Sequence, residues 1–135
     1  MTGIKKLMRG NTLILILTVL LFLFGLLGGN NISETEPAVT VEMTNQLTFK
    51  PDTVTIEKGE TVLWKNTSLL VHSVTADHDK KTEPESVALP EGAEPFDSGL
   101  MDPEEEFSHT FTVKGTYTYF CIPHEAAMRG VVIVE

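Results

Sequence analysis

Cysteine is almost missing from this chain of 135 residues: there is one, Cys121. A single cysteine excludes a disulfide framework within the chain. Basic residues are also scarce, 10 against 19 acidic ones, for a formal net charge of −9. That balance excludes nucleic acid as a partner, because phosphate binding needs a basic face. There is no internal repeat and no long amphipathic helical pattern. The length fits one folded domain and leaves no room for a second.

The charge is unevenly spread. Residues 1–29 contain Lys5, Lys6 and Arg9 and no acid, so they carry +3, while residues 30–135 carry 7 basic and 19 acidic side chains, or −12. Leu13 to Leu27 is an almost unbroken run of Leu, Ile, Val and Phe. A basic stretch before an apolar run is the layout of a secretory signal. Thr12 to Gly29 also suits a membrane helix, since 18 residues at the helical rise span about 27 Å. The small residues that signal cleavage requires are poorly placed, because Leu26 and Leu27 precede Gly28-Gly29. Segment 1–29 is therefore expected to be a signal peptide or a transmembrane anchor, with the uncleaved anchor favoured. In either case residues 38–135 are expected outside the cytoplasm, with the basic flank of an anchor inside. Residues 30–37 (NNISETEP) read as a polar linker. Asn31 and Asn66 each open an N-x-S/T triplet.

From Ala38 onward the apolar period is two. Val39, Val41 and Met43 alternate with polar residues, as do Val54 and Ile56, then Phe107, His109, Phe111 and Val113, then Tyr117, Tyr119 and Cys121. Thr61 to Trp64, the run around His72, and Gly130 to Val134 add further short segments. These predict six or seven strands rich in Val, Thr, Tyr and Phe. The expected fold is all-β, a sandwich of two antiparallel sheets packed face to face. Asp77 to Pro95, with three prolines and many charges, reads as a long connection with room for one helical turn.

The chemistry lies in Tyr117 to Gly130, YTYFCIPHEAAMRG. Cys121, His124 and Met128 fall within eight residues, between one strand and the last. His72 lies about fifty residues upstream, at an expected strand end. Two imidazoles, a thiolate and a weak thioether form the ligand set of a blue-copper centre. A short loop between neighbouring strands can gather three side chains around one point. The fourth must come from another strand, so a metal would clamp the two together. Pro123 removes a backbone donor and stiffens the loop, which suits a ligand cage that barely moves between Cu(I) and Cu(II).

These motifs resemble the cupredoxins of the plastocyanin, pseudoazurin and amicyanin group. Thr48-Phe49-Lys50-Pro51, the stretch from Thr53 to Asn66, Phe96 to Gly99, Phe107 to Phe111 and Gly115 to Cys121 carry the resemblance over residues 39–135. It implies a Greek-key β-sandwich holding one type 1 copper ion. His72, Cys121 and His124 would be the equatorial ligands and Met128 the axial one. Two departures stand out. Three residues separate His124 from Met128, where related loops have two or four. Ser73 stands where the family commonly has Asn, the residue that hydrogen-bonds at the copper thiolate; a hydroxyl can also donate, with a changed potential. Arg129-Gly130 keeps the family's Met-x-Gly pattern.

The remaining candidates have plainer readings. Met43, Met101 and Trp64 are expected in the core. His78 and His109 are expected in solvent, and Glu104-Glu105-Glu106 in an exposed turn. The resemblance implies a carrier of single electrons, exchanging them at the edge of His124. Ile122, Ala126 and Ala127 would form a flat docking patch around it. The acidic balance predicts redox partners with a basic docking surface and salt-sensitive association. A membrane contact would run through residues 12–29 if they are retained. A copper-delivery module is the alternative, although exposed methionine or histidine clusters are missing. A subunit of a copper oxidoreductase would need further histidine ligands, and only His78 and His109 remain. A zinc ion on the same Cys-His-His set is a further alternative in a wrongly loaded protein.

Overall fold

A computed structural model describes residues 36–135. The leader or anchor expected at 1–29, and the linker up to residue 35, lie outside the described residues. Among the described residues no helix is long and apolar enough to cross a membrane. Among the described residues nine strands form two sheets: β1 Val39–Met43, β2 Phe49–Lys50, β3 Thr53–Ile56, β4 Thr61–Asn66, β5 Thr75–Ala76, β6 Phe96–Asp97, β7 Glu106–Thr110, β8 Gly115–Phe120 and β9 Arg129–Val134. One sheet has the order β2-β1-β4-β7 and the other β3-β9-β8-β5-β6. The all-β sandwich is as expected, but the sheets are mixed rather than antiparallel. β1 runs parallel to β4, and β3 parallel to β9. The chain leaves the first sheet after β2, adds β3 to the second and returns as β4, so β4 re-enters in the direction of β1. A two-residue side-chain period reports the buried face, not the direction of the neighbouring strand.

Alternation places the core. Val62, Trp64 and Asn66 face inward from β4, Val41 and Met43 from β1, and Gly130, Val132 and Val134 from β9. Trp64 is fully buried among the rings of Phe96, Phe107, Phe111 and Tyr119, with centroids 5.3 to 6.3 Å away. Trp64 and Phe107 belong to one sheet and Tyr119 and Phe96 to the other, so the aromatic cluster joins the layers. Met43 and Met101 are buried, as expected, and the Glu104 to Glu106 turn is exposed.

His109 departs from its expected place in solvent. It shares the inward parity of Phe107 on edge strand β7, is half-buried, and stacks on Phe96 at 4.3 Å. His78 is exposed, as expected. Burial lowers the His109 pKa below the ordinary histidine value. The unfolded chain therefore takes up this proton first as pH falls, and the folded state loses stability below about pH 6.5 until the folded pKa is passed. His109→Phe is expected to flatten the acid limb of stability below about pH 6.5, read as the urea midpoint against pH. An unchanged slope would show that His109 titrates alike in both states.

The expected long connection joins β5 to β6 and includes a single 3-10 turn, Pro84–Ser86. It is stitched to β8 by paired backbone hydrogen bonds between Ala88 and Thr118. Asn66 is fully buried, and its amide nitrogen donates to the carbonyls of Leu70 and Met101. Folding thus hides that triplet from modification.

Candidate metal centre

Two connections at one end of the sandwich meet. The first, between β4 and β5, is shaped by Asn66. Its Oδ1 accepts from the Ser68 backbone and hydroxyl, while its amide nitrogen holds Leu70 and Met101. His72 sits beyond this turn and pairs through both backbone groups with Met101, at 3.2 and 2.8 Å. It is the partner of an isolated bridge rather than a residue of the strand expected around it, and β5 begins three residues later.

The second connection runs from Cys121, just past β8, to Met128, just before β9. Ile122–His124 forms a 3-10 turn with Pro123 near its start, where a missing N–H costs nothing. The backbone N–H groups of Ala127 and Met128 both donate to the His124 carbonyl, at 3.0 and 2.9 Å. Three intervening residues therefore close one helical turn, and His124 and Met128 stand four apart on the same side of it. The Cys121 N–H donates to the Met128 carbonyl at 3.0 Å and shuts the loop.

Cys121 Sγ lies 3.5 Å from His72 Nδ1 and 3.4 Å from His124 Nδ1. One ligand atom from each residue falls within 4.8 Å of the others. His72, Cys121 and Met128 are buried, whereas His124 is half-exposed. Burial lowers the His72 pKa, helped by the nearby His124 ring. That favours a neutral imidazole with a free lone pair. Burial also pushes the Cys121 thiol up, against the backbone N–H groups of Ser73 and His124. Two neutral imidazole nitrogens and a buried sulfur facing one point fit a soft cation, which would itself supply the charge that favours the thiolate.

Ser73 reaches the sulfur through its backbone. The donor to Cys121 Sγ is the Ser73 backbone N–H, at 3.3 Å. The Ser73 Oγ accepts from the Ile122 N–H at 2.8 Å and lies 3.1 Å from Thr75 Oγ1, which donates to Asp97 at 2.7 Å. With Thr75 committed to the carboxylate, the Ser73 proton is left free for Thr75 Oγ1 or the sulfur. Asp97 also pairs with Lys80 at the surface. This chain of bonds joins the backbone of the loop between Cys121 and Met128 to β5 and β6.

Glu125 lies against the long connection. Partial burial raises its pKa, but hydrogen bonds from Thr82 and Glu83 outweigh this and hold the carboxyl down to about 2. Beside His124 in the chain, Ile122, Ala126 and Ala127 are all exposed. Further apolar side chains are exposed next to the other candidate ligand, His72. Leu69 is 83% exposed and Leu100 67%, with Leu70 and Val71 exposed beside them. These residues precede His72 and Met101, which bridge to each other. The apolar run Leu69-Leu70-Val71 inside a polar turn was the available signal.

Residues 36–135 match the family described as copper binding proteins, plastocyanin/azurin family. Plastocyanin of Scenedesmus fuscus is 36% identical over 105 residues, covering 72% of this chain and 99% of that one. Chloroplastic plastocyanin of Tetradesmus obliquus is 38% identical over 94 residues; the match takes in 66% of this chain and 59% of the relative, a little over half its length. Among solved structures, a Cu(I) form of an amicyanin variant superposes with a TM-score of 0.59 at 29% identity, covering 74% of this chain and 84% of that one. A copper-containing nitrite reductase from Thermus scotoductus matches with a TM-score of 0.58 at 27% identity, but over only 22% of its own chain. On the match across residues 36–135, the chain belongs to the plastocyanin/azurin family of copper-binding proteins.

Proposed function

We propose that His72, Cys121 and His124 are the equatorial ligands of the copper ion and Met128 its axial ligand. As a member of its family the chain is a blue copper electron-transfer protein, not an enzyme. The observation that carries the ligand assignment is the meeting of Cys121 Sγ with two imidazole nitrogens at the end of the sandwich. Copper supplies a one-electron couple there. The residues hold the cation in a fixed cage, keep water from Cys121 and His72, and bring only the half-exposed His124 towards solvent.

Electrons pass at the His124 edge, in our reading, with partners docking on the apolar rim of Ile122, Ala126, Ala127, Leu69, Leu70, Val71 and Leu100. A desolvated apolar contact suits brief docking, and a charged rim would govern the rate of encounter. The −12 carried by residues 30–135 favours a partner with a basic docking surface. The layout of residues 1–29 supports work outside the cytoplasm, tethered to a membrane or secreted, with 30–37 as linker and 38–135 as the carrier domain.

The test is the optical and EPR spectrum of the copper-loaded protein and of its Met128→Leu variant. A strong thiolate charge-transfer band and a narrow parallel hyperfine splitting are expected. Met128→Leu should keep the colour and raise the potential by about 60 mV or more, a tenfold change in the relative affinity for the two copper states. A colourless protein binding Cu(II) through nitrogen and oxygen would sink the assignment. An unchanged potential in Met128→Leu would remove Met128 from the ligand set.

A further inference from the structure

We propose that Glu125 is a positioning residue for the copper loop, and that the long connection 77–95 acts as its brace. The proposal rests on the reading of His124 and Met128 as ligands. The carboxylate receives four hydrogen bonds from two residues of that connection. The Thr82 N–H donates to both oxygens at 2.9 and 3.1 Å, the Thr82 hydroxyl to Oε2 at 2.6 Å, and the Glu83 N–H to Oε1 at 2.9 Å. A second tie joins Arg129 Nη1 to Glu85 Oε1 at 3.2 Å. The two ties flank Met128 in the sequence. Between them Ala126 and Ala127 are exposed and have no polar side chain with which to hold the loop.

The need for a brace follows from the local structure. His124 to Met128 is one helical turn closed by two backbone hydrogen bonds to a single carbonyl. A lone turn is unfavourable in isolation, because nucleation fixes several dihedrals for each bond formed. Its ends are secured by the pairing of Cys121 and Met128, but its outer side faces solvent. Glu125 transfers that outer side onto a segment which is itself stitched to β8 through Ala88. Charge-assisted bonds to a carboxylate are the stronger kind. The turn therefore gains a rigid backing, which keeps the spacing of His124 and Met128 the same in both oxidation states.

The experiment compares the parent with Glu125→Ala, Glu125→Gln and Thr82→Pro. Thr82→Pro removes both donors of residue 82 and leaves the Glu125 charge in place. In the metal-free protein, the Thr82 and Glu83 amides should exchange about tenfold faster in Glu125→Ala, as for loss of a charge-assisted bond. In the copper-loaded protein, self-exchange passes one electron from a reduced copy to an oxidised copy with no net reaction. Its rate should fall about threefold or more in Glu125→Ala and Thr82→Pro. Glu125→Gln, which keeps one acceptor oxygen, should lie between these and the parent. Removing a negative charge from an acidic protein lowers repulsion between copies and would by itself speed the exchange, so a fall is diagnostic. If the parent has no thiolate band with Cu(II), the ligand reading fails and the brace fails with it. If the parent is blue while both Glu125→Ala and Thr82→Pro exchange electrons at its rate, the ligand reading stands and the brace is overturned. Unchanged amide exchange in Glu125→Ala would overturn it as well.

Discussion

Cys121→Ser should abolish the intense visible band of the copper-loaded protein. Serine is nearly isosteric, but its hydroxyl is neither a thiolate nor a soft ligand, so the charge-transfer transition has no donor orbital. The change also leaves the two imidazole nitrogens, 3.5 and 3.4 Å from the sulfur, without the anion that completes the cage. Cu(II) can still bind through nitrogen and oxygen, giving a pale protein with a wide hyperfine splitting. Folding should suffer less. The buried serine keeps a polar atom near the Ser73 N–H, so the metal-free variant is expected to lose at most about 1–3 kcal/mol. Absorbance and EPR of the loaded variant, beside urea unfolding of the metal-free one, separate the two effects. An intense band that survives in Cys121→Ser would mean that the thiolate is not the donor.

Gly130→Ala is expected to be among the most damaging single-methyl changes in the domain. A Cβ at residue 130 would stand 2.3 Å from Tyr119 Cζ and 2.4 Å from its hydroxyl oxygen. The two residues are direct partners across β8 and β9. Tyr119 cannot step aside, because it is fully buried with Phe49 at 4.7 Å and Trp64 at 5.3 Å. Overpacking of this kind costs about 3 kcal/mol, which lowers Tm by about 12 °C or more in a domain of this size. The glycine of the Met-x-Gly pattern thus answers a packing demand rather than a turn. Thermal unfolding checks the loss, and a double-mutant cycle with Tyr119→Leu checks its cause. The pair should be markedly less destabilised than the sum of the single changes. Additive losses would locate the strain elsewhere.

The four candidate ligands are legible in the sequence because three of them share one short loop and the fourth sits in an apolar run with its own turn. The buried faces were legible wherever a strand was long enough to alternate, as in β4 and β9. Two-residue strands such as β2 and β6 are too short to show a period. The parallel pairings were hidden because strand direction depends on the crossover between sheets, not on any one segment. Residue type puts a titratable His109 in solvent, but the parity of its neighbours Phe107 and Phe111 turns it inward, and in the structure parity wins. The Glu125 contacts were invisible, since residues 82 and 125 are far apart in sequence and a charged loop carries no periodicity. The apolar rim was partly missed because Leu69 and Leu100 are ordinary core residues by composition, and only the turn held by Asn66 turns the first of them outward.

The placing of the Ser73 hydroxyl has a consequence for how this centre can drift. The thiolate's contact at position 73 is a backbone group, which any residue except proline provides. The side chain of residue 73 accepts from the Ile122 N–H and lies within hydrogen-bond reach of Thr75, which donates to Asp97. A change at any one of Ser73, Thr75 and Asp97 therefore reaches the Ile122 amide and the loop between Cys121 and Met128.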